Sequence, residues 1–291
     1  METQANRLQE LIEADSIKKN TRTKFVAITS GKGGVGKSSV TANLAVGLAE
    51  LGLKVGVLDA DIYGFSIPRM LGITHDPQSI DGMIVPPIGT AGVKVISIGM
   101  FVPEGQPIIW RGPMLHRALQ QFLADVFWGD LDVLLIDMPP GTGDVAISIA
   151  QLLPNSEILI VTTPQIAAAE VAERSGSIAT QTRQRVIGVV ENMAYLVQPD
   201  GSKMEIFGAG GGATVSAHLS ALLGHEVPLM AQVPLDISLR VGGDTGVPVA
   251  SKSGPASQSG AAVELQALAS KLAAHSRGLA GRPLGVAPVQ R

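Results

Sequence analysis

The sequence predicts an α/β fold: a doubly wound, mainly parallel sheet with helices on both faces. Three observations carry that expectation. Apolar runs alternate with helical stretches along most of the chain. Several runs are continuous Val/Ile/Leu without a polar alternation, as strands buried on both faces require. The first run leads directly into a glycine-rich loop that opens a helix.

Taken in order, residues 1–24 are polar, with one short amphipathic turn at Leu8, Leu11 and Ile12, and are expected to be a mobile arm or the tail of a missing upstream segment. A single domain is expected over residues 25–273. Its strands are read at Phe25–Thr29, Lys54–Leu58, Val93–Ile98, Val133–Asp137, Glu157–Thr162, Val186–Val190 and Leu229–Val233. Helices are read between them at Ser38–Leu51, Met114–Phe127, Val145–Leu152, Gln165–Arg183, Gly212–Leu223 and Ala256–Ala273. Right-handed crossovers would then place a ligand at the carboxyl ends of the strands. The Gly- and Pro-rich stretch 274–291 is expected to be disordered.

Bulk composition narrows the function classes. Of 291 residues, 45% are hydrophobic and 16% charged, so a sizeable core is expected. A net charge of -3 and an aromatic share of 3% argue against nucleic-acid coating and base stacking. No apolar run reaches the roughly 18 residues that span a bilayer, and the start METQANRLQE is not a secretory signal, so a cytoplasmic protein is expected. The cysteine count is zero, which excludes disulfides, thiolate catalysis and cysteine-ligated metal centres within this chain.

The chemistry-bearing stretch is Gly31, Lys32, Gly33, Gly34, Val35, Gly36, Lys37, Ser38 and Ser39, between the run at Phe25–Ile28 and a helical stretch. Glycines let successive backbone N–H groups turn inward as an anion site, and the helix N-terminus adds its positive end. Lys37 can neutralise β- and γ-phosphates, and the Ser38 hydroxyl can join Mg²⁺. A glycine-rich turn that binds nothing is the bland alternative. Asp59 and Asp61 end the second strand at the same sheet edge, where a carboxylate can hold Mg²⁺ or orient a water, although Asp also commonly serves as a turn former. Asp137 ends an apolar strand and has the position of a Mg²⁺-side acid. Pro139-Pro140-Gly141 after it reads as a switch, with Gly141 letting a backbone N–H approach a γ-phosphate.

The combination SGKGGVGKSS, LDADIYG, IWRGPM at Ile109–Met114, LIDMPPGTGD and VVENM at Val189–Met193 resembles the Mrp family. That family lies within the deviant Walker A group of P-loop NTPases, with MinD, ParA and the nitrogenase iron protein, and its members are ATP-hydrolysing iron–sulfur cluster carriers. The resemblance covers roughly residues 25–249. It implies ATP and Mg²⁺ as cofactors and a homodimer that sandwiches two ATP molecules. It further implies that Lys32 reaches across to the partner's nucleotide, that Asp61 positions the hydrolytic water, and that Asp59 supports the metal shell. Asp137 is then the Walker B acid, Gly141 part of the γ-phosphate switch, and Asn192 the adenine reader, with Pro234 and Asp236 in the loop lining the base. A trans cation is also chemically reasonable, since it completes neutralisation of the triphosphate as an arginine finger does. No Asn-Lys-x-Asp guanine reader follows the loop, which favours ATP over GTP.

One stretch departs from the family. Where its carriers place a Cys-x-x-Cys pair, this chain reads Gln198-Pro199-Asp200-Gly201. The five histidines, His75, His116, His218, His225 and His275, lie away from that stretch and are read as ordinary solvated or packed residues. Three functions follow as alternatives. The first is an Mrp-type dimeric ATPase acting in cluster assembly, with cysteines brought by a partner. The second is a MinD- or ParA-like positioning switch without a cluster, for which the weakly basic stretch Ala261–Lys271 offers no membrane anchor. The third, a nitrogenase-reductase-like motor, is removed by the absence of cysteine. Arg111 beside Trp110 and the glycine run 208–212 are read as a surface stacking pair and a flexible helix entry.

Overall fold

A computed structural model describes residues 23–62, 64–101, 112–141, 143–165 and 168–275. The N-terminal arm up to residue 22, Tyr63, the segment with Trp110 and Arg111, Thr142, residues 166–167 of one expected helix, and the tail from residue 276 lie outside the described residues.

The principal sheet has seven parallel strands. They are β1 (Lys24–Thr29), β2 (Val55–Asp59), β5 (Lys94–Ser97), β6 (Val133–Asp137), β7 (Glu157–Thr162), β8 (Val186–Asn192) and β11 (Leu229–Val233), arranged β11-β8-β7-β1-β6-β2-β5. Two antiparallel hairpins lie outside it: β3 (Gln78–Ile80) with β4 (Met83–Val85), and β9 (Leu196–Val197) with β10 (Lys203–Met204). Strands β2, β6, β7 and β8 are buried along their whole length, the outcome their unalternated Val/Ile/Leu runs call for. β6 is inserted between β1 and β2, while β7 lies on the other side of β1. Strand order therefore reverses at β1, and a crevice for ligand is set at its carboxyl end.

Helices cover both faces. One face carries α1 (Lys37–Ala49), the short α2 (Ile67–Met70), α7 (Ile237–Thr245) and α8 (Gly260–Ala274). The other carries α3 (Gly112–Ala124), α4 (Asp144–Leu152), α5 (Ala168–Thr182) and α6 (Gly211–Leu223). α1 is enclosed on nearly every side, with Val40, Leu44 and Leu48 fully buried. Each such side chain contributes roughly 1.5–3 kcal/mol by leaving water. Its close approach to α8 depends on Gly47, where an added Cβ would lie 2.8 Å from the Ala269 Cβ. This packing holds the N-terminal turn of α1 rigidly under the glycine loop. On the opposite face Trp128 is buried and donates its indole N–H to the Phe122 carbonyl at 2.9 Å, so its polar atom is satisfied.

The structure departs from the sequence-based boundaries in specific places. β2 runs one residue further, to Asp59, because the ladder continues through the pairs Asp59–Asp137 and Asp59–Ser97. β8 likewise extends to Asn192, paired with Val233. α8 begins at Gly260 rather than Ala256, because Ser259 accepts the Ala262 N–H and caps it there. α2, α7 and both hairpins are additions to the expected elements.

Candidate functional site

The loop between β1 and α1 is built by two left-handed glycines, Gly34 at φ 76° and Gly36 at φ 78°. At Gly36 a side chain is doubly excluded, because a Cβ would sit 2.2 Å from the Asn192 Nδ2. Gly31 presses on α5, where a Cβ would meet the Val171 Cα at 2.8 Å. Arg174 from the same helix donates to the Gly31 carbonyl at 3.4 Å. Gly33 and Val35 complete the loop, with Val35 buried, while Ser39 hands its carbonyl to the Asn43 side chain at 2.8 Å.

Beneath the loop, three carboxylates from the ends of two strands gather around one cation. Lys37, almost fully buried, places its Nζ 2.8 Å from Asp137 Oδ2 and 3.4 Å from Asp61 Oδ2. Ser38 Oγ donates to the same Asp137 oxygen at 2.6 Å, and Thr41 Oγ1 donates to the other at 2.8 Å. Asp59 stands beside Asp137 in register on the neighbouring strand, accepting from Ser97 Oγ at 3.0 Å and from the Asp61 N–H at 3.2 Å. Burial pushes the Asp59 carboxyl up to about 8, and the neighbouring Asp137 pushes in the same direction. Asp137 is also raised by burial, against the opposing pull of Lys37, Ser38 and Thr41. Two carboxylates on adjacent buried strand ends cannot both ionise cheaply around one lysine.

Thr41 and Ser97 were not foreseen as site residues. Thr41 lies four residues after Lys37, hence on the same helix face, and that spacing was a usable signal. Ser97 had none, because its neighbourhood with Asp59 depends on β5 pairing with β2.

The remaining residues lie around this centre. Gly141, also left-handed at φ 94°, donates its N–H to the Ser30 carbonyl at 3.0 Å and so closes the segment after β6 against the loop. Asn192 ends β8 and donates Nδ2 to the Val35 carbonyl at 2.9 Å, while its buried Oδ1 has no hydrogen-bond partner among the described residues. Pro234 follows directly after Val233, which pairs with Asn192. Asp236 caps α7, accepting from the Ser238 N–H at 2.8 Å and the Ala261 N–H at 3.3 Å, and these bonds hold its carboxyl below the usual range despite partial burial. Lys32 stands apart: its Nζ, exposed, donates to Gln165 Oε1 at 3.0 Å.

The donor set suits Mg²⁺. Oxygen ligands from one or two carboxylates and a hydroxyl leave the other positions to phosphate and water, the usual way this ion is held. Among the described residues no group of three or more His, Cys, Asp or Glu forms a metal cage of its own. The turn at Gln198–Gly201 does not suit an iron–sulfur cluster, since clusters are held by Cys thiolates. It joins β9 to β10 and is exposed. It is closed by Ser202, whose N–H and hydroxyl both donate to Asp200 Oδ1, at 2.9 and 2.7 Å, and by Gln198 Nε2 donating to Ser202 Oγ at 3.0 Å.

Comparison with known proteins agrees with this geometry. The model of the ParA-type family described as NUBPL iron-transfer P-loop NTPase matches residues 21–273. An iron-sulfur cluster carrier protein of Mycobacterium tuberculosis is 61% identical over 269 residues, covering 92% of this chain and 70% of the relative. Another of the same description from Bacillus subtilis is 50% identical over 212 residues, covering 72% and 58%. Among solved structures, a nucleotide-binding protein of Archaeoglobus fulgidus in complex with ADP is 36% identical with a TM-score of 0.69, covering 84% of this chain and 94% of that one. The septum site-determining protein MinD of Pyrococcus horikoshii, with Mg-ADP, has a TM-score of 0.59 at 23% identity, covering 89% and 98%, and shares the fold.

Proposed function

The chain belongs to the NUBPL iron-transfer P-loop NTPase family, and on that premise we propose that it is a Mg-ATP-binding, ATP-hydrolysing dimeric switch of the Mrp type. Its role is in iron–sulfur cluster assembly or transfer to apoproteins, without cysteine ligands of its own. The observation that carries this reading is the convergence of Lys37, Ser38, Asp61 and Asp137 beneath a loop with two left-handed glycines.

Lys37 exchanges its contact with Asp137 for the β- and γ-phosphates. That exchange frees Asp137 and the Ser38 hydroxyl, with Asp59 behind them, to serve the metal shell. Ser38 and Asp137, with Asp59 behind them, would hold Mg²⁺, which would supply neutralisation of the charge that develops on the phosphates. Asp61, at the rim of the same cluster, orients the attacking water. Gly141 trades its bond to Ser30 for a γ-phosphate oxygen, which makes the segment after β6 a sensor of that phosphate. The unpartnered Oδ1 of Asn192 accepts from the adenine amino group, a donor that guanine lacks at that position. Pro234 borders the base, and Asp236 fixes the path of that loop through its two backbone bonds. Lys32 supplies the trans cation. The domain is taken as residues 25–273 and the setting as cytoplasmic.

Lys32→Ala tests the engine. Nucleotide binding should persist, while turnover falls by roughly 10³–10⁵-fold, the usual worth of such a cation. Full turnover in this variant would remove the trans-lysine reading.

A second reading is favoured by the absence of cysteine together with the self-closed turn at Gln198–Gly201. It makes the chain a MinD- or ParA-like positioning switch with no cargo. Among the described residues no helix is long and apolar enough to cross a membrane. Anaerobic reconstitution beside an assay of cluster transfer from a cysteine-bearing partner separates the two, because only the first reading requires ATP to change the transfer rate.

A further inference from the structure

Lys32 is the residue on which the proposed dimer chemistry turns, and its surroundings on its own subunit are specific. The backbone that carries it is fixed on two sides. Ser30 Oγ donates to the Lys32 carbonyl at 2.9 Å, and Arg174 bonds the preceding carbonyl at 3.4 Å. The long side chain, in contrast, is exposed and loses rotamer freedom on being held. Its ammonium nevertheless meets one acceptor, Gln165 Oε1, at 3.0 Å.

Gln165 is held in place from its other side. It follows Pro164 in the segment after β7, and that segment is packed against the glycine run 208–211. At Gly211 an added Cβ would lie 2.7 Å from the Pro164 carbonyl group and from the Thr163 carbonyl oxygen. At Gly208 it would lie 3.7 Å from the Pro164 oxygen. Only glycines allow backbone to approach backbone this closely, so the loop that offers Gln165 to Lys32 is braced by the strand end and by the glycine entry to α6.

The chemical type of the acceptor matters. An amide oxygen accepts from the ammonium without cancelling its charge, so the cation stays available to a triphosphate. A carboxylate in its place would neutralise it and hold it by an ion pair. We propose that Gln165 is a positioning residue that parks Lys32 on its own subunit through this bond, and that pairing with a second copy releases it. The inference rests on the trans-lysine reading above. Parking sets a cost on pairing: each subunit must surrender the Gln165 bond before its lysine reaches the partner's nucleotide. The cost is small because the pair is exposed, and small enough for nucleotide to overcome.

The experiment is steady-state ATP turnover across a range of protein concentrations, for the parent, Gln165→Ala and Gln165→Glu, with nucleotide affinity measured separately. Gln165→Ala should lower the protein concentration giving half-maximal specific activity by about 2- to 30-fold, because two exposed polar pairs are given up per dimer. Gln165→Glu should shift it upward and reduce the plateau rate, and neither variant should change nucleotide affinity. A structural role for Gln165 would move both variants in the same direction together with thermal stability. Unchanged concentration dependence in both variants, or shifts of the same sign, overturns the parking role. Lys32→Ala is run alongside: if it keeps full turnover, the trans-lysine reading has failed, and if it loses turnover while the Gln165 variants behave as the parent, only the parking inference has failed. Gln165→Asn, which keeps the amide one methylene shorter, should fall between the parent and Gln165→Ala.

Discussion

Placing a methyl group on Gly36 tests whether the loop is set by backbone geometry and Asn192 jointly. The left-handed conformation, φ 78°, costs a non-glycine residue about 1–2 kcal/mol. The new Cβ would also lie 2.2 Å from Asn192 Nδ2, so that amide must leave the Val35 carbonyl. Losing that buried hydrogen bond costs about 0.5–1.5 kcal/mol. The sum, about 1.5–3.5 kcal/mol, corresponds to a fall in Tm of about 3–14 °C for a chain of this size. Thermal unfolding of Gly36→Ala without nucleotide measures it. The decisive comparison adds Asn192→Ala: with the amide gone, the obstruction is gone and only the backbone strain persists. The double variant should therefore be less destabilised than the two single changes added together, by about 1 kcal/mol. Strict additivity, or a Gly36→Ala protein melting with the parent, refutes the claim that the loop and Asn192 are one structural unit.

Two further outcomes follow from the buried carboxylates and the exposed turn. The Asp59 carboxyl is raised in the folded state from 3.8 to about 8, chiefly by burial. Folding therefore favours its protonated form, and the associated stability is present below about pH 4 and is lost as pH climbs toward 8. In metal-free, nucleotide-free protein, Asp59→Asn should remove most of this slope and melt above the parent at pH 8; urea midpoints across that range read it, and an unchanged slope contradicts the assignment. In the exposed turn, Gln198→Cys with Gly201→Cys should confer stoichiometric iron on anaerobic reconstitution, whereas the parent should stay at background. Iron bound tightly by the parent would show that other ligands serve.

Much of the fold could be read because its determinants are local. The glycine loop is specified by backbone angles that few residues tolerate, so Gly34 and Gly36 announce it in sequence. The continuous apolar runs announce buried parallel strands for the same reason. What escaped detection depends on partners far along the chain. α7 contains Gly242 and Gly243, poor helix residues, yet Gly242 is required because a Cβ there would strike the Val247 carbonyl at 2.6 Å. Its start is decided by the Asp236 cap, which simultaneously holds Ala261 on α8. Ser97 joins the site only through the pairing of β5 with β2, and Gln165 only through the packing of residues 163–164 against the glycine run.

The same contrast between local and distant constraint explains how a nucleotide engine can stand beside a turn with no cluster ligands. Asp137 is fully buried and saturated by Lys37, Ser38 and Thr41. Removing its charge leaves the buried Lys37 leaning on its longer 3.4 Å contact with Asp61, so the identity of Asp137 is tied to the fold as well as to chemistry. Asp200 and Gly201 are exposed and Gln198 is half-buried, and Ser202, within four residues, bonds both Gln198 and Asp200. Residues 198–201 belong to neither hydrophobic core cluster, so they can be exchanged at little cost in stability. Yet the turn follows Asn192 by only six residues, and the intervening Ala194 and Tyr195 are bonded to Val233 and Leu235 on either side of Pro234. The turn is therefore joined by backbone hydrogen bonds to the strand end that carries Asn192, which in turn bonds the glycine loop. Its own residues can change while that connection is retained.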